Sequence, residues 1–151
     1  MSDRSVSFKK GIIVSILFNV PEVDDKATAK NVLDFFNDDV DKLERQAGIS
    51  ISSPRLDITG GKANHLNSME DHLLDANEAR KELAIIKKAI QNCPEESQEL
   101  IEYRYFQNMT WLQIEMKTNY SVATIGRRLV QARLDFADEY AALGRDIRIV
   151  K

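Results

Sequence analysis

An all-α fold, a helical bundle led by a smaller helical module, is what this chain of 151 residues predicts. Three observations carry that prediction. Apolar residues recur at three- and four-residue spacing in one segment after another, the period of a helix with one buried face. Residues that start and stop helices alternate between those segments. Only six glycines and three prolines interrupt a chain that is 43% hydrophobic and 30% charged, the balance of an ordinary globular protein rather than a disordered or membrane-spanning one. The organisation expected is an N-terminal helical module with a short apolar arm over residues 1–47, a linker over 48–65 and a second helical domain over 66–151.

Taking the elements in order, Arg4, Lys9 and Lys10 precede the apolar run 11–18 (GIIVSILF), which superficially resembles a secretion signal. The run is short, no small-residue cleavage site follows it, and it cannot span a bilayer, so it reads as a strand or extended arm. Pro21, Glu22, Asp24 and Asp25 lead into a helix over 27–46, with Val32, Phe36, Val40 and Leu43 on one stripe widened by Leu33. Asp34, Asp38, Asp39, Asp41 and Glu44 occupy its other face, which is expected to be solvated, with an acidic docking surface as the alternative. Ser52, Ser53, Pro54, Gly60 and Gly61 give residues 48–64 no helical period.

A long helix follows over 66–92, carried by Leu66, Met69, Leu73, Ala76, Leu83, Ile86 and Ile90. Pro94 suits the first turn of the next helix, where its missing N–H is harmless, and Glu95, Glu96 and Glu99 suit the positive end of the dipole. Leu100, Ile101, Tyr105 and Phe106 supply the buried side of that helix, and Asn108 breaks it. Thr110 with Gln113 three residues on forms a capping box, Asn119 fits the left-handed position after a helix, and Ser121 caps the last helix, which runs to Leu143 before Gly144. Its later half, with Phe136, Tyr140 and Leu143, is expected to pack on the 66–92 helix.

Two short-linked helices over 110–131 make a helix-turn-helix, the unit whose second helix can enter a major groove. In projection, Ile125, Leu129, Ala132, Phe136 and Leu143 share one stripe of that second helix, and Ala123, Arg127, Val130 and Gln131 lie roughly opposite. From Thr118 to Leu134 the only charged residues are Arg127, Arg128 and Arg133, with Lys117 just before, although the chain has net charge -3. Local positive charge on an acidic protein suits a surface that faces phosphate.

Other chemistries find little support. Cys93, the single cysteine, allows no internal disulfide and reads as a small apolar filler in a reducing cytosol, so a cytoplasmic location is expected. His65 and His72 lack the cluster a zinc site needs, and Gly60, Gly61 and Lys62 lack the spacing of a phosphate-binding loop. With no nucleophile paired to a base, neither an enzyme nor a metal or organic cofactor is expected.

The order Pro94, Leu100-Ile101, Arg104-Tyr105, Thr110, Ile114, Ser121, Thr124-Ile125 and Ala132 resembles the fourth region of bacterial sigma factors. Leu17-Phe18, Pro21 to Asp24, Lys26, Thr28, Asn31-Val32, Phe35-Phe36, Ser53-Pro54, Asp57, Tyr120-Ser121, Thr124, Arg127, Leu129, Ala132, Phe136-Ala137 and Tyr140 are similar to a narrower group, the ArpU family of phage and prophage transcriptional regulators. Glu115 and Thr118 depart from the usual helix-turn-helix pattern, which places Ala or Gly at the first and a larger apolar residue at the second. The resemblance implies a sequence-specific DNA-binding regulator that activates late lysis or packaging genes, with double-stranded DNA, RNA polymerase and a second copy of the chain as partners. The alternatives are a DNA-recognition subunit of a packaging terminase and a helical adaptor that binds protein and no DNA.

Within that reading, Val122, Ala123, Arg127 and Gln131 are the expected base readers: Arg pairs with guanine, Gln with adenine, and small apolar groups meet a thymine methyl. Lys117, Ser121, Thr124, Arg128 and Arg133 are the expected phosphate contacts. Gly126 is expected to let the backbone approach the duplex, and Trp111 to be a core aromatic.

Overall fold

The computed structural model describes residues 22–56 and 70–151, side chains of 70–74 excepted, and these form a helical bundle. The apolar arm 11–18, Gly60, Gly61, Lys62, His65, Leu66 and Met69, and the side chains of His72 and Leu73, lie outside the described residues. Helix α1 (Asp25–Asp34) starts where the Asp24 carboxylate accepts from the Ala27 N–H at 3.1 Å. A π-helical turn, Phe35–Asp39, joins it to α2 (Val40–Ala47). There follow α3 (Glu70–Asn92), α4 (Glu95–Ile101) with a second π-helical turn at Glu102–Phe106, α5 (Trp111–Thr118) and α6 (Val122–Ala142). Among the described residues the only β pairing is an isolated antiparallel bridge between Val23 and Val150.

The expected uninterrupted helix over 27–46 therefore contains a wider turn. The Val40 N–H donates to Phe35 O, five residues back, and that extra residue per turn brings both Phe35 and Phe36 to the core side alongside Val32 and Val40. Phe36 lies 4.7 Å from Phe136 and 4.9 Å from Tyr105 between ring centroids, so the two π-helical turns meet across the α6 aromatics. Leu83, Ile86, Ala89 and Ile101 complete this main core. Residues expected in separate modules thus contribute to one cluster, and two from the expected linker do as well: Ile51 and Leu56 are buried. Local polar bonds fix that loop. Gly48 takes the left-handed conformation at φ 69°, the Glu44 carboxylate accepts from the Ile51 N–H at 2.8 Å, and Arg80 donates to Ala47 O at 3.1 Å.

A second, smaller cluster is built from Leu100, Ile114, Ile125 and Leu129, flanked by Tyr103, Tyr105, Met109 and Tyr120. Helix α6 runs through both clusters: Ile125 and Leu129 enter the small one, Ala132, Phe136, Ala137 and Tyr140 the main one. Its later half packs on α1 as well as on α3.

Arg145, Arg148 and Lys151, the weakly basic tail, pair with Glu82, with Asp138 and Asp146, and with Glu22 respectively. The tail crosses α1, where Asn31 donates to Ile147 O at 2.8 Å and the Ile149 N–H donates to the buried Thr28 hydroxyl at 2.9 Å. No helix among the described residues is long and apolar enough to cross a membrane.

Candidate nucleic-acid interface

Helices α5 and α6 are positioned by short-range bonds that their own sequence supplies. The Gln113 N–H donates to Thr110 Oγ1 at 3.2 Å and the Thr110 N–H to Gln113 Oε1 at 2.8 Å, so both halves of the capping box form. Asn119 closes α5 with φ 63°, its N–H donating to Glu115 O at 2.8 Å, and the Thr124 N–H donates to Ser121 Oγ at 3.2 Å to open α6. Three residues, Asn119, Tyr120 and Ser121, thus separate the helices. Ile114 meets Ile125 and Leu129 in the small core, while Glu115 is only half-buried.

The exposed side of α6 carries Val122, Ala123, Arg127, Val130 and Gln131. The four expected base readers are therefore on the solvent side of one helix. Arg127 donates to Thr124 Oγ1 at 3.3 Å, and Gln131 donates to Asp135 Oδ1 at 2.9 Å. Gly126 has open space where a Cβ would stand. Of the expected phosphate contacts, Ser121 and Thr124 are at the mouth of α6, and Lys117 extends its ammonium over the Tyr103 ring at 5.9 Å.

The other two arginines have protein partners. Arg128 pairs with Glu96 of α4 and lies over the Tyr120 ring at 4.6 Å. Arg133 is half-buried, donating to the Tyr105 hydroxyl at 2.9 Å with its Nε buried and unbonded. Arg127 and Arg128 thus share the exposed surface near the α6 start, while Arg133 turns toward the junction of the two cores.

Trp111 differs from its expected core role: it is half-exposed, with the Arg104 guanidinium 5.1 Å above its ring. Leu112 and Met116 are also outward, at 63% and 73% exposure, so of the apolar α5 residues only Ile114 is buried. The reason is length. Two turns of helix offer one inward edge, and the small core beneath is already filled by Leu100, Ile125 and Leu129.

Residues that sequence reasoning missed are those reaching α6 from α4. Ser97, buried, donates to Asp135 Oδ2 at 2.7 Å, and Glu96 holds Arg128. The glutamate and the arginine lie 32 positions apart, which no local spacing rule can connect. Of the acids expected on the outer face of the first helices, Asp34, Asp38, Asp39 and Asp41 are exposed, with Lys30–Asp34 and Arg45–Asp41 pairs one turn apart, while Glu44 is half-buried against the Ile51 N–H. No three His, Cys, Asp or Glu among the described residues are grouped to hold a metal ion.

Neither curated proteins nor solved structures provide a match. Residues 34–138, from the last residue of α1 through most of α6, match the family described as "Protein of unknown function (DUF722)", and the chain belongs to that family.

Proposed function

We propose that this chain is a sequence-specific double-stranded-DNA-binding transcriptional regulator. The observation that carries the reading is the division of α6: Ile125, Leu129 and Ala132 are buried, and Ala123, Arg127, Val130 and Gln131 face solvent behind a capped three-residue turn. A capped helix anchored on one side and presenting small, amide and guanidinium groups on the other suits major-groove reading. Between residues 119 and 134 no Asp or Glu opposes a phosphate.

In this mechanism Arg127 and Gln131 read base edges, Val122 and Ala123 meet thymine methyls, and Lys117, Ser121 and Thr124 hold the backbone. Arg128 reaches phosphate by exchanging Glu96 for it, and Arg133 braces α6 against Tyr105. The likeness to ArpU-family regulators and to the fourth region of sigma factors supports activation of late phage or prophage genes, with the acidic side of α1 and α2 offered to RNA polymerase or a second copy. Trp111, Leu112 and Met116 favour one other reading, an adaptor that docks protein through α5.

Selection of bound duplexes from a random pool, followed by footprinting and a salt titration, tests the proposal. The expected result is one enriched sequence and an affinity that falls steeply with salt, by roughly 0.9 of a log unit per log unit of salt for each neutralised phosphate. Recovery of the input pool unchanged, with no salt-dependent binding, overturns the reading and leaves the adaptor.

A further inference from the structure

We propose that Asp135 is a positioning residue for base recognition: anchored by Ser97, it dictates which end of the Gln131 side-chain amide faces the duplex. The inference rests on the DNA-binding reading and adds a specificity determinant to it. Three side chains from two helices form a relay. Ser97 Oγ, in the first turn of α4 and only 7% exposed, donates to Asp135 Oδ2 at 2.7 Å, and Asp135 Oδ1 accepts from Gln131 Nε2 at 2.9 Å.

The chemistry makes the relay directional. A carboxylate accepts and does not donate, so it takes the NH2 end of the glutamine and never the oxygen. Alone, a glutamine amide turns about a broad, roughly two-fold torsion and presents donor or acceptor on either side. With one N–H given to Asp135, the other N–H and Oε1 remain, in a fixed order. That order matches the N7 acceptor and N6 donor of adenine. The Ser97 bond matters because it ties the carboxylate to another helix.

A removable negative charge near DNA also affects every sequence, so the test must separate orientation from charge. Full-length wild type, Asp135→Ala, Asp135→Asn, Ser97→Ala, Gln131→Ala and the Asp135→Ala/Gln131→Ala double variant are titrated against the pool-selected duplex. Each is also titrated against three derivatives changed at the one base pair whose discrimination Gln131→Ala abolishes. Fluorescence anisotropy gives the affinities, and thermal melts show which variants fold. Asp135→Ala should lose about tenfold of discrimination at that base pair and add nothing in the Gln131→Ala background. Asp135→Asn removes the charge and brings an NH2 that can donate to Gln131 Oε1, so it should lose the discrimination as Asp135→Ala does, while the effect of the lost charge itself falls equally on all four duplexes. Ser97→Ala should lose part of it, which keeps the idea testable if Asp135→Ala does not fold. Full discrimination in both Asp135→Ala and Ser97→Ala, with loss in Gln131→Ala, overturns the relay and leaves DNA reading intact. An equal loss of affinity for every duplex marks Asp135 as merely structural and also overturns the relay. Absence of any sequence preference in the wild type overturns the relay and the reading beneath it.

Discussion

Arg127, Arg128 and Arg133 lie on one helix and meet three different surroundings, so identical side chains there carry different expected outcomes. Arg127 is exposed and, among the described residues, bonded only to a hydroxyl of its own helix, at 3.3 Å. Arg127→Ala should weaken binding to the selected duplex by about 1–3 kcal/mol at one base pair, leaving random-sequence affinity less affected, as competition titration would measure. An equal loss on all sequences would make it a phosphate contact instead. Arg128 pairs with Glu96 while both side chains remain over two-fifths exposed, so the pair adds under about 1 kcal/mol to stability. Glu96→Gln should therefore barely shift the melting temperature but raise duplex affinity, because Arg128 no longer has a carboxylate competing with phosphate. Unchanged affinity would remove Arg128 from the interface. Arg133 could not be told from the others in the sequence. Its partner, Tyr105, sits 28 residues earlier in a turn whose geometry no local pattern reveals.

Whole elements were legible where their determinants are local. The capping box of Thr110 and Gln113, the left-handed Asn119 and the Ser121 cap each depend on residues within four positions, and each forms. The buried stripe of α6 was legible for the same reason, since Ile125, Leu129, Ala132 and Phe136 follow helical spacing and all are buried. What the sequence hid depends on distant contacts. The π-helical turns form where Phe36 stacks on Tyr105, and the placement of Ile51 and Leu56 in the core follows from bonds made to α2 and α3. Trp111, Leu112 and Met116 misled because hydrophobic spacing shows that a helix has an apolar side and not whether anything covers it. Within α6, Gly126 gives a direct test of how near the backbone comes to its ligand. A Cβ there meets open space, so Gly126→Ala should raise folding stability by about 0.5–1 kcal/mol through backbone entropy alone. The same methyl should lower duplex affinity if the α6 backbone enters the groove. A stabilised variant that binds as the wild type does would place Gly126 away from DNA.

At the scale of the molecule, the small cluster that shapes the candidate interface is fused to the main core by α6 and by Tyr105, which packs against both. The main core also controls chemistry at Cys93. Burial, with Asp135, Glu139 and Asp138 nearby, pushes its thiol from 9.0 up to about 12. The folded chain thus holds that proton more tightly than the unfolded one, so the stabilisation is complete below about 9 and is lost as pH climbs toward 12. Urea midpoints above pH 9 should fall less steeply in Cys93→Ala than in wild type; parallel profiles would mean the thiol is not so shielded. The tail makes a larger demand on the same core. Asn31 and the buried Thr28 satisfy their side chains on backbone groups of Ile147 and Ile149, and Arg145 bonds Glu82 at 3.0 Å. Ending the chain after Gly144 removes these bonds and leaves the Thr28 hydroxyl without its tail partner. At about 0.5–1.5 kcal/mol for each of these three bonds, the loss should be about 1.5–4.5 kcal/mol, read as a lower urea midpoint. No tail residue belongs to the cluster of Leu100, Ile114, Ile125 and Leu129. The shortened chain, assayed cold where it remains folded, should therefore keep the duplex preference of wild type. Loss of preference in a chain that is still folded would mean that the tail itself touches DNA, through Arg148 or Lys151 released from their acidic partners.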